Sequence, residues 1–266
     1  MPAKNNILKV ENLTKVYEVG LFKKKYITAV DNISFSISRG EIVSLVGESG
    51  SGKTTVAKII LRLLPPSSGR VLYKGEDIWE KKGIESLKAY WREVHAVFQD
   101  PFASFNPVYK IDRILEQAFN LMGTPVDENA VNEALKEVAL LPNEVLGKYP
   151  HELSGGQRQR LMIARCFLLK PQLILADEPV SMVDASTRAS IVNLFLRLRD
   201  EYKTSIIFIT HDLGLAYFVS DRILIMYKGE IVEEGPPDEL ISSPRDDYTK
   251  KLLESVPLLY GKWKGF

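Results

Sequence analysis

The stretch EIVSLVGESGSGKTTVAKIILRLLPP, residues 41–66, decides the fold. Its first part, EIVSLVG (41–47), is a short apolar run ending in glycine, with the length and flanks of a buried strand. A helix is predicted to start at Lys53 and to run to Leu64, where Pro65 and Pro66 stop it. Between the two, GESGSGKT (47–54) matches G-x-x-x-x-G-K-[ST] in the strand-then-helix context that this loop requires. The glycines let backbone N–H groups wrap phosphate oxygens. Lys53 adds a point charge at the β- and γ-phosphates, and the Thr54 hydroxyl can ligate Mg²⁺. The competing reading, a glycine-rich turn with an incidental lysine, leaves the flanking strand and helix unexplained. Gly47, Glu48, Ser49, Gly50, Ser51, Gly52, Lys53, Thr54 and Thr55 are therefore the candidate phosphate-binding set.

Outward from this loop, strand and helix patterns alternate. Residues 7–18 and 27–38 alternate apolar and polar side chains as half-buried strands do, with FKKKY (22–26) as a solvated loop between them. Short apolar runs follow at HAVFQ (95–99), LILADE (173–178), SIIFIT (205–210), RILIMY (222–227) and EIVEEG (230–235). Helical stretches near 185–200 and 212–219 separate the later strands. From about 109 to 169 the pattern is helical: Ile111, Ile114, Leu115 and Ala118 share one face, and Val131, Leu135 and Val138 another. The expectation is an α/β core with a parallel sheet. Its expected limits are 1–99 with 166–240, interrupted by a helical subdomain over 100–165 and followed by a short extension, 241–266.

Bulk properties narrow the class. With 266 residues, 45% of them apolar and 26% charged, the chain has the composition of a globular protein with a sizeable core. A net charge of +1 gives no bias toward nucleic acid or anionic lipid. The single cysteine, Cys166, excludes a disulfide framework within the chain and a cysteine-only metal cluster, and reads as a small buried hydrophobe. MPAKNNILKV carries no apolar signal region, and the longest apolar run, LMIARCFLLK, is interrupted by Arg165. A cytoplasmic chain that reaches a membrane only through a partner is expected.

Polar residues stand at the ends of several predicted strands, where ligands bind in an open parallel sheet. Asp177 and Glu178 end LILADE, suited respectively to holding Mg²⁺ and to orienting or deprotonating an attacking water. His211 follows SIIFIT, and Gln99 follows HAVF, able to reach both metal and water. A second anomaly is LSGGQRQR (153–160). Ser154 and Gln157 fit the capping box S-x-x-Q, a purely structural reading. Yet Gly155 and Gly156 are poor helix formers placed in the first helical turn, which suggests a second anion-binding helix end.

Taken in order, GESGSGKT, Gln99, LSGGQ, LILADEP, SMVDAS and His211 resemble the nucleotide-binding subunit of ABC transporters over essentially the whole chain. The resemblance implies an ATP-hydrolysing P-loop fold, with an antiparallel β subdomain beside the core. It also implies a head-to-tail dimer in which each ATP lies between one subunit's P-loop and the other's LSGGQ helix. Ser154, Gly155, Gly156 and Gln157 would then serve the partner's nucleotide, and Asp184 would belong to the loop that crosses the interface. Tyr17 matches the aromatic that stacks on adenine, with Tyr26 the weaker candidate. Thr54, Gln99 and Asp177 would attend Mg²⁺; Glu178, His211 and Gln99 would carry hydrolysis.

VFQDPFASFNP, YPHELSGGQRQR, DEPVSMVDAS and the tail SSPRDDYTKKLLESVP resemble most closely the oligopeptide/dipeptide importer branch, which includes nickel and oligosaccharide carriers. That branch usually has His-Pro before the tail tyrosine, where Asp246 and Asp247 stand here, and many relatives have a longer cysteine-bearing tail. No iron–sulfur cluster is expected. The implied partners are a second, different ATPase chain, two permease subunits at the cytoplasmic face of the membrane, and, indirectly, an extracytoplasmic solute-binding protein. Phe102, Phe105 and Pro107 fall in the segment implied to meet the permease, so some of them should be exposed. Two other readings compete. A soluble ABC-type ATPase would usually carry two cassettes or long coiled coils, and neither is present in this sequence. A regulatory module that does not hydrolyse ATP would lack Glu178 or His211.

Overall fold

The computed structural model describes residues 6–20, 24–99 and 105–254. The chain divides into two compact units, Met1–Lys81 with Ile207–Phe266, and Lys82–Ile206.

The first unit contains two sheets. One is antiparallel, in the order β2-β1-β4-β5, built from β1 (Asn6–Val19), β2 (Lys25–Ser38), β4 (Ser68–Tyr73) and β5 (Glu76–Asp77). The other runs β10-β9-β3-β8, with β3 (Ile42–Val46), β8 (Ser205–Thr210, of which the first two residues belong to the other unit), β9 (Arg222–Tyr227) and β10 (Glu230–Gly235). β3 and β9 are parallel, pairing Val46 with Ile225, whereas β9 and β10 form an antiparallel hairpin. Every residue of β3 is buried, Ser44 included with its hydroxyl bonded to that of Ser220, as expected of a strand covered on both faces. Val46, Ile223 and Ile225 pack with Leu213, Ala216, Leu240 and Leu252 into one cluster. Each large aliphatic side chain buried there contributes about 1.5–3 kcal/mol relative to exposure.

In the second unit, β6 (Val94–Val97) and β7 (Leu173–Asp177) run parallel, with Val97 opposite Ala176. The helices Ile111–Met122, Glu128–Glu137, Gly155–Leu169 and Ala185–Tyr202 make up most of the remainder. Ile111, Ile114, Leu115, Ala118, Val131, Leu135 and Val138 are all buried, so the two expected faces are the ones turned inward. Caps fix the starts: Asp127 accepts from the Asn129 and Ala130 amides at 2.9 and 3.1 Å, and Ser154 and Asp184 begin the two longer helices.

Local corrections follow from tertiary context. The helix after the glycine-rich loop ends at Ile60, not Leu64: Arg62 turns left-handed (φ 59°), while the amides of Leu63 and Leu64 both bond back to the Lys58 carbonyl. β6 stops at Val97, leaving Gln99 two residues beyond the strand rather than on it. The predicted loop FKKKY gives up Lys25 and Tyr26 to β2, although Tyr26 stays 64% exposed. β4 and the helix Ile84–Glu93 have no counterpart in the sequence reading. Phe105 is buried and Pro107 exposed, while Phe102 lies outside the described residues.

Candidate nucleotide site

The loop 47–54 leaves the end of β3 and enters the helix Lys53–Ile60 through Gly52, whose φ of 111° is open to glycine and strained for any other residue. Gly47 is required for a different reason. A Cβ there would lie 2.1 Å from the Met226 carbonyl oxygen, so the loop can sit against the end of β9 only without a side chain. The next turn of chain completes this backing, since the Gly229 amide donates to the Ser51 carbonyl at 2.9 Å. At the exposed front of the loop, the Glu48 amide donates to the Tyr248 hydroxyl at 3.0 Å.

Lys53 is buried, with its ammonium folded back onto the Gly47 and Glu48 carbonyl oxygens (2.6 and 2.7 Å) and near Ser51 Oγ (3.4 Å). Gly52 makes no side-chain cap bond to the first helical turn, whose leading amides point out of the helix end. They are aligned with the positive end of its dipole, the arrangement that receives an anion. Thr54 is exposed at this end. Tyr17 comes to the same helix start, its hydroxyl 3.5 Å from Thr55 Oγ1 and its ring 5.5 Å from the Lys15 ammonium. Tyr26 sits instead on the outer part of β2, opposite Glu18. His211 is exposed directly after β8, and Asp212 caps the helix Leu213–Val219 through the Leu215 amide.

Within the second unit, the parallel pairing of β6 and β7 brings Gln99 to the same sheet edge as Asp177 and Glu178. Asp177 is buried and Glu178 half-buried. Glu178 also adopts φ 47°, a left-handed conformation that costs a non-glycine residue about 1–2 kcal/mol. The turn is held because the Glu178 carbonyl accepts from both the Ser181 amide (3.2 Å) and the Ser181 hydroxyl (3.0 Å). Strain of this kind collects at functional positions, where the carboxylate must be aimed rather than merely accommodated.

The SGGQ helix start forms the expected capping box. Ser154 Oγ accepts from the Gln157 amide at 3.2 Å while Gln157 Oε1 accepts from the Ser154 amide at 3.0 Å, a complete capping box. The glycines are not explained by this box. A Cβ on Gly155 would meet only the Met182 carbonyl oxygen at 3.6 Å, and one on Gly156 only the Thr187 methyl at 3.6 Å, both ordinary contacts. Nothing in the described packing of this chain demands glycine at either position.

A match to the family described as ABC transporter covers residues 30–181. The chain belongs to the ABC transporter family. It is 42% identical over 259 residues to the oligopeptide transport ATP-binding protein AppF of Bacillus subtilis, spanning 95% of this chain and 78% of that one. It is 43% identical over 240 residues to OppF of Streptococcus pyogenes, spanning 89% and 78%. Among solved structures, a dimeric post-hydrolysis state of the ATP-binding cassette MJ0796 bound to ADP and Pi superposes with a TM-score of 0.78 at 30% identity, covering 86% of this chain and 98% of that one. The cassette cbiO1 of Clostridium perfringens gives 0.74 at 26% identity, covering 90% and 92%. The protein is thus an ABC-type ATPase with the expected mixed α/β fold.

In this ABC ATPase the residues holding the SGGQ turn include one that sequence reasoning missed. Arg158 is buried, and its guanidinium donates to the carbonyls of Pro150 (2.8 Å) and Leu153, locking the preceding turn against the helix start. An arginine one position after the glutamine was its only trace in the sequence. Asp184 caps the helix Ala185–Tyr202 through the Thr187 amide at 2.9 Å. Its hydrogen bonds from Ser186 and Thr187 hold its pKa down to about 2. Among the described residues no group of three or more His, Cys, Asp or Glu side chains can hold a metal ion. The expected donors, Thr54 Oγ1, Gln99 Oε1 and the Asp177 carboxylate, are all hard oxygens. Each is of the kind that Mg²⁺ takes, an ion with few protein ligands that completes its shell with phosphate and water.

Proposed function

We propose that the chain is the ATP-hydrolysing subunit of an importer for oligopeptides, working head-to-tail with a second ATPase subunit and beneath two permease subunits at the cytoplasmic face of the membrane. The observation that carries this reading is the SGGQ helix start, whose two glycines answer to nothing in the described packing of their own chain. A surface kept bare in this way suits the phosphates of a nucleotide held by another subunit. The names of AppF and OppF, both oligopeptide transport ATP-binding proteins, support the peptide class over a soluble, uncoupled ATPase. Among the described residues no helix is long and apolar enough to cross a membrane.

Each site residue then has a role. The backbone amides of 47–55 and Lys53 bind the phosphates, and Tyr17 stacks on adenine. Thr54, Gln99 and Asp177 present oxygen donors to Mg²⁺, which when bound neutralises charge on the phosphates. Glu178 orients and deprotonates the attacking water, and His211 contacts the γ-phosphate. Ser154 to Gln157 close on the partner's nucleotide, with Asp184 at the interface, and residues 100–165 act as the helical subdomain. Purification of the tagged chain from membranes, with identification of what accompanies it, tests the assignment. A second ATPase, a permease pair and a peptide-binding protein are expected. An oligosaccharide-binding protein would change the solute, and full turnover by the lone chain would restore the soluble reading.

A further inference from the structure

The second residue of the phosphate loop is tied to the tail of the chain, 200 residues later. Tyr248, in the helix Asp247–Glu254, accepts the Glu48 amide proton at 3.0 Å. Its ring stacks on Tyr227 at 4.1 Å between centroids, with 23° between planes. Tyr227 directly follows Met226, whose carbonyl abuts Gly47. The ring and the hydroxyl therefore reach the loop from the same strand end that backs it.

Tyr248 is itself firmly held. Asp246 Oδ1 accepts the Tyr248 amide at 2.8 Å, and Glu233 on β10 accepts the Arg245 and Asp246 amides at 2.9 and 3.1 Å. Tyr248 and Leu253 pack against the cluster that contains Val46, the last residue of β3, and Leu252. Asp246, bonded on one side to Glu233 and on the other to the Tyr248 amide, thus anchors the turn into this helix. Burial raises the Tyr248 pKa, so its phenol stays neutral through the physiological range.

We propose that Tyr248 is a positioning residue of the nucleotide site: the tail helix holds the loop at Glu48 in the conformation that receives phosphate, so the tail sets nucleotide affinity. The inference rests on the reading that loop 47–54 holds the nucleotide. Glu48 directs its amide outward to Tyr248 and its carbonyl to the Ser51 amide at 3.2 Å, which sets the turn of the loop. Because the Glu48 carbonyl also holds the Lys53 ammonium, a slack Glu48 would misplace both the loop and its lysine.

Tyr248→Phe tests this by deleting the hydroxyl while keeping the stack and the packing. The dissociation constant for ATP should rise about fivefold, which corresponds to ~1 kcal/mol, the net worth of one hydrogen bond. KM should rise in step, kcat should stay within twofold, and hydrogen exchange should quicken at the Glu48 amide. Tyr217→Phe removes a hydroxyl bound to Asp238 and serves as the control, with no change expected. Unchanged affinity in Tyr248→Phe, or an equal shift in Tyr217→Phe, overturns the proposal. Lys53→Met in the same titration separates the two readings: if it binds ATP like the wild type, the loop assignment has failed rather than the role of Tyr248.

Discussion

The Lys53 ammonium lies 2.6 Å from the Gly47 carbonyl oxygen, at the base of its own loop. The ammonium has three donors, and with two of them on the Gly47 and Glu48 carbonyls the third is the one proposed to meet phosphate. Lys53→Met keeps the stem and removes the charge. Charge-assisted hydrogen bonds are worth about 1.5–3 kcal/mol, so ATP affinity should fall roughly 10- to 100-fold. Titration with a fluorescent ATP analogue reads this directly, and an unaltered dissociation constant would remove Lys53 from the phosphate site.

Glu178 offers two substitutions with different signatures. Glu178→Gln retains shape but not basicity, so turnover should collapse while ATP still binds and holds a closed dimer, visible by size-exclusion chromatography with Mg-ATP. Glu178→Gly should also abolish turnover. It should raise stability by about 1 kcal/mol, because the left-handed backbone at φ 47° is relieved, less the glycine's own entropy cost. Wild-type turnover in either variant would take the base role away from Glu178.

At the SGGQ helix start, Gly155→Asp should leave the monomer intact. The Cβ meets ordinary contacts only, and an acid in the first turn complements the helix dipole. The melting temperature of the monomer and its ATP affinity should match the wild type. Closure onto a partner's nucleotide should fail, because a carboxylate about 4 Å from a phosphate charge costs on the order of 4 kcal/mol at an effective dielectric near 20. Loss of melting temperature with retained closure would make the glycines a folding feature.

His95 gives the second unit an acid sensitivity. Burial, with the Arg165 charge adding to it, lowers the His95 pKa from 6.5 to about 3. The unfolded chain therefore takes up this proton first as pH falls. The stability tied to neutral His95 is complete above pH 6.5 and is lost progressively between about 6.5 and 3. His95→Gln, neutral throughout, should lose less melting temperature than the wild type between pH 7.5 and 5. Parallel losses would show that His95 is not responsible.

The phosphate loop, β3, β7 and the SGGQ helix were legible because each has a local signal, either a motif at fixed spacing or an apolar run of the right length. β4 was not, since SGRVLY follows two prolines and is secured by distant pairing, Val10 with Val71 and Leu8 with Tyr73. The helix Ile84–Glu93 carries Ile84, Leu87 and Trp91 at helical spacing, but the stripe is only about two turns long, buries only Tyr90 and leaves Ile84 61% exposed. Phe105 looked available for docking because breakers surround it, and a neighbouring glycine or proline says nothing about which way an aromatic turns. The candidate residues Gln99, Asp177, Glu178 and His211 stand out by their shared position at strand ends. The hold of Arg158 on Pro150 was invisible for the opposite reason: it is one side chain reaching backbone carbonyls, and carbonyls carry no sequence signature.

The bare SGGQ helix start has a genetic consequence. A lesion that spoils function while leaving a chain folded, stable and able to bind its own ATP does not behave like an absent gene product. Where altered and normal copies are expressed together, chains carrying Gly155→Asp would still take places in assembled transporters and stall them. With one copy of this chain per transporter, as a second, different ATPase implies, uptake should fall in step with the share of normal subunits. Alleles that empty the core at Phe195 or Leu135, both fully buried, would be cleared and should be recessive.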